Sequence, residues 1–179
     1  MKFGKPRAIK VCLDISATDT GMAVLGVDGN VAFYSHYSSK KGEDYIRLIR
    51  VADTIVNDLC FRFGNTMPVF KELYVYPEAV FMGKFGAAMI DPLIQHGILL
   101  AKLQAWAAAQ HVGFFWNEIS VGSWRSWLLK HTGVVAASRK SKDQKIATNV
   151  ALAKLGYEVD NQNTADALGI LMYVKEKFK

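Results

Sequence analysis

The amino-acid sequence predicts an α/β fold in which a mixed five-stranded sheet carries helices on both faces. Three observations point to this fold: three β-type segments fill the first third of the chain, helices and strands alternate after them, and the composition is globular. Of the 179 residues, 51% are hydrophobic and 21% are charged, which excludes intrinsic disorder. Because this is the length of one domain, we expect residues 1–179 to form a single domain.

The strands are predicted from alternating apolar and polar residues and from turn signals between them. The sequence Asp28-Gly29-Asn30 is a hairpin signal that joins the second and third β-type segments. Because three antiparallel strands precede the alternating helices and strands, the sheet should be mixed. The predicted strands are residues 8–15, 21–27, 31–37, 72–77 and 113–116.

The helices are predicted from a 3.6-residue apolar period and from their end signals. Asp is a favourable N-cap and proline a favourable first helical residue, so Asp91 and Pro92 together predict the start of the second helix. The sequence SKDQ at residues 141–144 predicts a capping box that opens the third helix. The predicted helices are residues 43–63, 91–111, 141–156 and a last helix that starts at Asn163 or Thr164 and runs into the basic tail.

The charge balance is basic, with 22 Lys and Arg against 16 Asp and Glu and a net charge of +6. A basic domain suits a polyanionic partner, although the same charges also serve solubility. Cys12 and Cys60 lie in apolar segments without metal-ligand or disulfide spacing, as expected in a reducing cytosol. Since neither a leader nor an apolar run of membrane-spanning length is visible, we expect a soluble, cytoplasmic protein that does not bind membranes.

Three carboxylates occupy positions that the fold alone does not require. Asp14 ends the first strand, Glu78 follows the fourth strand, and Asp166 lies in the first turn of the last helix. Each acid has an ordinary explanation, as a turn residue, a rim charge or a complement to the helix dipole. Strand ends and helix starts converge at one edge of such a sheet, where three acids would repel one another unless a divalent cation neutralised them. Oxygen ligands of this kind suit Mg²⁺ or Mn²⁺.

The segments around these acids resemble the motifs of RuvC-type Holliday junction resolvases, which belong to the ribonuclease H-like superfamily. The first motif, an Asp followed seven positions later by Gly, is matched by LDISATDTGMAV at residues 13–24. The second motif, a strand that delivers a Glu with an aromatic or apolar residue three positions on, is matched by VYPEAVF at residues 75–81. The C-terminal motif, Asp-Ala-Leu on the last helix with a metal ligand three positions earlier, is matched by NTADAL at residues 163–168.

The resemblance implies a ribonuclease H-like fold and a nuclease that cuts four-way DNA junctions with two metal ions. Asp14, Glu78 and Asp166 would bind two Mg²⁺ or Mn²⁺ ions, about 3.5–4 Å apart. A homodimer would cut opposing strands and leave 5′-phosphate ends. One position departs from the family, because Asn163 stands where the family has Asp or His. Asn163 is therefore either a metal ligand, through its neutral carbonyl oxygen, or only a helix N-cap.

The same resemblance implies several DNA contacts. Phe81 matches the residue that stacks against bases at the branch point, although it also suits a core position. Lys142 and Lys145 match the family's phosphate-contacting lysines near a helix N-terminus. From the sequence itself, Arg125 between two tryptophans and Lys84 between two glycines are further DNA-binding candidates, although such charges often form only a solvated face.

Three other functions are compatible with the same residues. The first is a related nuclease that acts on flaps, replication forks or RNA–DNA hybrids. The second is a catalytically weak protein that binds junctions, a reading that the Asn at position 163 favours. The third is an actin-like or sugar-kinase-like ATPase lobe, whose phosphate-binding hairpin also starts with Asp and ends with Gly. Such a protein needs a second lobe and a glycine-rich adenosine site, which the sequence does not offer.

Overall fold

The computed structural model describes residues 7–16, 18–38, 45–64, 70–80 and 90–178. The regular elements in these ranges are, in chain order, β1 (Ala8–Ile15), β2 (Asp19–Leu25), β3 (Val31–Ser38), α1 (Ile46–Phe63), β4 (Glu72–Pro77), α2 (Ile90–Ala109), β5 (Gly113–Trp116), α3 (Val121–Thr132), α4 (Ser141–Lys154) and α5 (Gln162–Lys177).

Strand β1 lies at the centre of the sheet, whose strand order is β3-β2-β1-β4-β5. β2 and β3 are antiparallel to their neighbours, whereas β4 and β5 run parallel to β1. The predicted mixed five-stranded sheet is therefore confirmed. Because β1 and β4 are parallel, the residues that follow both strands meet at the same edge of the sheet.

The turn between β2 and β3 is the predicted hairpin. Gly29 has a φ of 77°, a value that glycine adopts without the penalty that a side chain would bring. The Gly26 N–H donates to the Asn30 carbonyl oxygen at 2.9 Å and closes the turn. Since Gly26 already belongs to the turn, β2 ends at Leu25 rather than at residue 27 as predicted.

Both faces of the sheet are covered by helices, as predicted. Successive residues of a strand point to opposite faces. Ile9, Val11 and Leu13 of β1 pack in a core with residues of α1 and α2. Cys12, between them, packs on the other side with residues of α5 such as Leu168.

Helix α5 lies unusually close to its neighbours. A Cβ atom added to Gly21 of β2 would lie 1.9 Å from the Asn163 carbonyl oxygen of α5. A Cβ atom added to Gly169 of α5 would lie 2.5 Å from the ring of Trp124 in α3. Glycine at these two positions therefore lets α5 approach the sheet on one side and α3 on the other.

The N-termini of α2 and α4 differ from their predictions. α2 begins at Ile90, so Asp91 is not the N-cap but a first-turn residue, which forms an ion pair with Arg47. α4 has Lys140 at its N-cap without a side-chain hydrogen bond, so the predicted capping box is wrong. The bend before α4 brings in Ser138 instead: its hydroxyl accepts the Lys140 N–H at 3.1 Å, and its carbonyl oxygen accepts from the Gln144 side chain at 2.8 Å.

Helix α3 was not predicted, although the sequence carries signals for both of its ends. The Ser120 hydroxyl accepts the Ser123 N–H and caps the N-terminus, and Gly133 ends the helix with a φ of 64°. The part of the chain that the structure describes contains no helix long and apolar enough to span a membrane.

Candidate active site

Asp14 and Glu78 are brought together by the parallel neighbours β1 and β4. Leu13 pairs with Pro77, and the Glu78 N–H donates to the Leu13 carbonyl oxygen at 2.7 Å. Because side chains alternate along both strands, Asp14 and Glu78 share the face of the sheet that packs against α5. The two carboxyl groups are close enough for Glu78 to raise the pKa of Asp14.

Asp166 approaches this pair from α5. It is the fifth residue of the helix, beyond the first turn, so its predicted first-turn position is wrong. Its side chain is almost fully buried, and the residue is only 3% exposed. Its Oδ2 accepts a hydrogen bond from Arg125 Nη2 at 3.1 Å, and its Oδ1 accepts one from Gln162 Nε2 at 3.0 Å. A buried carboxylate with two such donors is not a surface charge that complements a helix dipole.

The three acids influence one another electrostatically. Burial raises the pKa of Asp14 well above its ordinary value; the contact with Glu78 and the charge of Asp166 raise it further, and the charge of Lys145 lowers it. Burial also raises the pKa of Asp166, while Arg125 lowers it and the charge of Glu78 raises it. Negative charge is therefore costly at this edge of the sheet, and a cation would relieve that cost.

The donor chemistry of this cluster fits a hard divalent cation, because carboxylate oxygens are the ligands that Mg²⁺ and Mn²⁺ prefer. As the side chains lie, no group of three or more His, Cys, Asp or Glu residues in the described ranges forms a set that could hold a metal ion. Both oxygens of Asp166 are bound by Arg125 and Gln162. Asp14 and Glu78 are thus the two neighbouring candidate metal ligands. Asp166 would become the third ligand if a cation replaced Arg125 as its partner.

Trp124 of α3 connects the acids to the core. The tryptophan is fully buried, and its Nε1–H donates to Glu78 Oε1 at 3.3 Å. The guanidinium of Arg125 stacks on the Trp124 ring, 4.6 Å from its centroid. Helix α3 therefore positions two of the three acids, Glu78 through Trp124 and Asp166 through Arg125. The sequence signal that would have found this arrangement is the capped helix between Ser120 and Gly133.

Asn163 is not the N-cap of α5, so that prediction is wrong. The cap is Asn161, whose Oδ1 accepts the Thr164 N–H at 3.0 Å and whose amide nitrogen donates to Asp19 Oδ2 at 2.9 Å. The Asn163 amide nitrogen donates to the Asp19 carbonyl oxygen at 2.8 Å and to the Ser16 hydroxyl at 3.3 Å. Asn163 and Asn161 thus tie α5 to the segment between β1 and β2. A role for Asn163 as a metal ligand stays a prediction.

The predicted basic residues are distributed unequally around the acids. Lys145 of α4 is half-buried, and its charge lowers the pKa of Asp14, whereas Lys142 is exposed on the first turn of the same helix. An open groove of about 620 Å³ lies between α3 and the N-terminal end of α4, and Arg125 and Arg139 are among its lining residues. Phe81 and Lys84 lie outside the described residues.

The sheet order and the placement of the helices define a ribonuclease H-like fold of the RuvC type. Thermus thermophilus RuvC in complex with a Holliday junction substrate is similar to this chain, with a TM-score of 0.54 at 16% identity. A second structure of the same RuvC has a TM-score of 0.55 at 17% identity. Each comparison covers 93% of this chain and 93% of RuvC. The yeast mitochondrial Holliday junction resolvase Ydc2 has a TM-score of 0.52 at 13% identity, over 95% of this chain and 78% of Ydc2. No protein-family model matches the sequence, and no curated protein sequence matches it. These structures establish the fold.

Proposed function

We propose that this chain is a structure-selective DNA endonuclease that resolves four-way junctions. The observation that carries the proposal is the cluster of Asp14, Glu78 and Asp166, in which burial and the charges of the neighbouring acids raise the pKa of Asp14, and burial and the charge of Glu78 raise that of Asp166. Its setting supports the same function, because the fold is that of RuvC, whose structure has been solved with a Holliday junction substrate.

The proposed reaction is hydrolysis of a DNA phosphodiester. Water attacks the phosphorus, the bond to the 3′ oxygen breaks, and the products are a 5′-phosphate and a 3′-hydroxyl. Asp14, Glu78 and Asp166 would hold two divalent cations, which activate water and stabilise the leaving oxygen when bound. Trp124 fixes the orientation of the Glu78 carboxylate through its hydrogen bond. Arg125, once exchanged from Asp166, is placed at the groove between α3 and α4 to neutralise a phosphate.

The proposed DNA contacts follow from the positions of the basic residues. Lys145 is close enough to the acids to act on a phosphate at the cleavage site, whereas Lys142 would contact the backbone farther away. We propose a homodimer, because two symmetric cuts in a four-way junction require two active sites. The roles of Phe81 and Lys84 in DNA binding remain predictions.

One observation favours a second candidate, a protein that binds junctions but cuts them poorly. Arg125 and Gln162 bind both oxygens of Asp166, so that a cation must displace a buried ion pair before Asp166 can act as a ligand. If the ion pair is too stable to exchange, the protein binds DNA without hydrolysing it.

The experiment that separates these functions is a comparison of labelled substrates in Mg²⁺, Mn²⁺ and EDTA. The substrates are a four-way junction, a fork, a flap, a linear duplex and an RNA–DNA hybrid, each incubated with the wild-type protein and with Asp14→Asn. We expect paired nicks in the junction alone, only with a divalent cation, and at least about a thousandfold slower with Asp14→Asn, since such ions contribute several kcal/mol to the transition state.

Each other outcome points to a different function. If the protein retards the junction in a gel in EDTA but nicks it in neither Mg²⁺ nor Mn²⁺, the result would favour a protein that binds junctions without cutting them. Preferential cleavage of flaps, forks or hybrids would reassign the substrate while keeping the nuclease. Cleavage by Asp14→Asn at the wild-type rate would show that these acids do not perform the reaction.

A further inference from the structure

The face of the sheet that carries the acids ends, at its other edge, in a second surface of different chemistry. An open groove of about 760 Å³ lies at the N-terminal ends of β1 and β4, and we call it the aromatic groove; it is lined by Arg7, Lys10, Tyr74, Tyr76, Lys177 and Phe178, among others. Lys10 and Asp14 are four residues apart on β1, which is about 13 Å along a strand, whereas Tyr76 of the same groove is two residues before Glu78. The groove therefore reaches toward the acids at Tyr76, while Lys10 and Tyr74 lie farther from them.

Three aromatic rings in and beside this groove form a row. The rings of Tyr76 and Tyr74 are nearly parallel, with centroids 6.3 Å apart and an interplanar angle of 11°. The ring of Tyr74 is stacked in turn on Phe115, at 4.6 Å and 13°. Phe115 belongs to the edge strand β5 and is 42% exposed. The principal neighbours of β5 among the described elements are β4 and α2, and α2 packs on the opposite face of the sheet. The row thus ends in a ring that another flat aromatic group can extend.

The surroundings of this row are basic. Arg7 and Lys177 line the aromatic groove and are exposed. Glu72 also lines the groove and accepts a hydrogen bond from the Tyr74 hydroxyl at 3.0 Å. Exposed cations beside a row of nearly parallel rings complement a ligand that has both flat bases and phosphates.

We propose that the aromatic groove and Phe115 bind single-stranded DNA, with a base stacked on Phe115 and adjacent phosphates near Arg7 and Lys177. A duplex would fit less well, because its bases are already stacked inside the helix and present no free ring face. Each base stacked on an aromatic side chain contributes markedly to affinity, with little dependence on sequence. This site goes beyond the proposed cleavage, since it would hold an unpaired strand at Phe115 rather than at the acids.

The test is the affinity for a fluorescent thymidine oligonucleotide, measured by anisotropy in EDTA. An oligonucleotide of about ten residues matches the size of known single-strand sites. Phe115→Ala should weaken binding by about fivefold or more, the loss expected for one stacked base, and Phe115→Trp should restore it. The matched control is Phe61→Ala: Phe61 lies on α1, on the other side of the sheet, is 83% exposed, and should not affect binding. An abasic oligomer of the same length should bind wild type and Phe115→Ala equally.

Several results would overturn the proposal. Equal binding by Phe115→Ala and Phe61→Ala would show that Phe115 does not belong to the site. Equal wild-type affinity for thymidine and abasic oligomers would show that the protein binds only the charge of the phosphates and not the bases. Competition by thymidine monophosphate at the same nucleotide concentration would assign the groove to free nucleotides. If Phe115→Ala lowers the mass in sedimentation without changing DNA affinity, this face is a contact between copies. Because the assay needs no cleavage, a protein that cuts no junction but shows the Phe115 effect would sustain this inference while the proposed nuclease fails.

Discussion

The two faces of the sheet use the same alternating strands for different purposes. Toward α1 and α2, the side chains of β1 are apolar throughout, from Ile9 to Ile15, and form an ordinary core. Toward α5, the same strand presents Lys10, Cys12 and Asp14, and the helix that covers them brings the buried Asp166. Both faces carry a hydrophobic core, but among the described residues only the face toward α5 also holds a buried carboxylate, as is typical of a functional site.

The largest expected effect concerns two glycines, one on each side of the sheet, whose surroundings are packed to different degrees. Gly21→Ala places a methyl group against the Asn163 carbonyl oxygen, so α5 must move away from β2. We expect a loss of about 3 kcal/mol or more in the free energy of unfolding, at the upper end for an added methyl group. The matched variant is Gly97→Ala on α2, where a Cβ atom meets nothing within 4 Å. That change should stabilise the protein by about 0.8 kcal/mol, because alanine is the better helix former.

Urea unfolding of both variants measures this contrast. If Gly21→Ala is as stable as wild type, the close approach of α5 to β2 is wrong, and so is the placement of Asp166 beside Asp14.

A smaller effect is expected where α5 is tied to the segment between β1 and β2. Asn163→Ala removes two donated hydrogen bonds and should cost about 1–2 kcal/mol. Asn161→Ala removes the N-cap and should cost about 1 kcal/mol. Asn163→Asp cannot donate to the Asp19 carbonyl oxygen and should destabilise the protein in EDTA. If the Asn163 side chain also binds a metal, the same variant should need less Mg²⁺ for half-maximal cleavage; unchanged metal dependence would limit Asn163 to tying down α5.

The pH dependence of stability should differ between buried and exposed acids. Since the pKa of Asp14 is raised in the folded protein, its protonated form favours folding, and that contribution is lost as the pH rises above the ordinary value of 3.8 toward the raised pKa. In EDTA, the stability of Asp14→Asn relative to wild type should therefore grow with pH over this window and then level off. Added Mg²⁺ should reduce the difference, because it stabilises the charged wild-type site.

Asp28 provides the control for this measurement. Hydrogen bonds from Asn30 lower its pKa, so the charged form favours folding and its contribution appears as the pH rises. Asp28→Asn should accordingly change the pH profile in the opposite direction and by less, because Asp28 is exposed. A flat difference between Asp14→Asn and wild type would contradict the raised pKa.

The smallest effects concern the two lysines of α4. Lys142→Ala should weaken junction binding a few-fold at low salt and flatten its salt dependence, as the loss of one phosphate contact does. Lys145→Ala should in addition slow cleavage and raise the pKa of Asp14, because Lys145 lowers it in the wild type. Equal effects of the two variants on binding, and no effect on cleavage, would place both lysines among distant phosphate contacts.

The sequence predicted the sheet better than the helix ends. Ala8–Ile15, Glu72–Pro77 and Gly113–Trp116 were predicted with the bounds observed, because their alternation and turn residues are local signals. Helix α3 was missed, since the polar residues between Val121 and Thr132 weaken its apolar period. The N-cap of α5 is Asn161, two residues before the predicted Asn163, and α4 has no side-chain cap at all, because only the folded backbone decides which side chain reaches the free N–H groups.

The candidate site shows the same division between local and tertiary information. The positions of Asp14 and Glu78 at strand ends followed from the strand bounds and from parallel pairing. The partners of Asp166 did not, because Arg125 lies 41 residues away in the chain, on the helix that was missed. The hydrogen bond from the Trp124 Nε1–H to Glu78 was not predicted for the same reason. A buried tryptophan is expected in a core whether or not it also donates a hydrogen bond.

The central claim is that these acids form a metal site, and the most direct measurement is Mn²⁺ binding followed by electron paramagnetic resonance of the free ion, with and without an uncut four-way junction. Wild type, Asp14→Asn and Asp53→Asn are compared; Asp53 lies on α1 across the sheet and forms an ion pair with Lys102. We expect wild type and Asp53→Asn to bind Mn²⁺ alike, and Asp14→Asn to bind it at least about tenfold more weakly because an anionic ligand is lost. Equal Mn²⁺ binding by wild type and Asp14→Asn, or no binding by wild type even with the junction, would contradict the account.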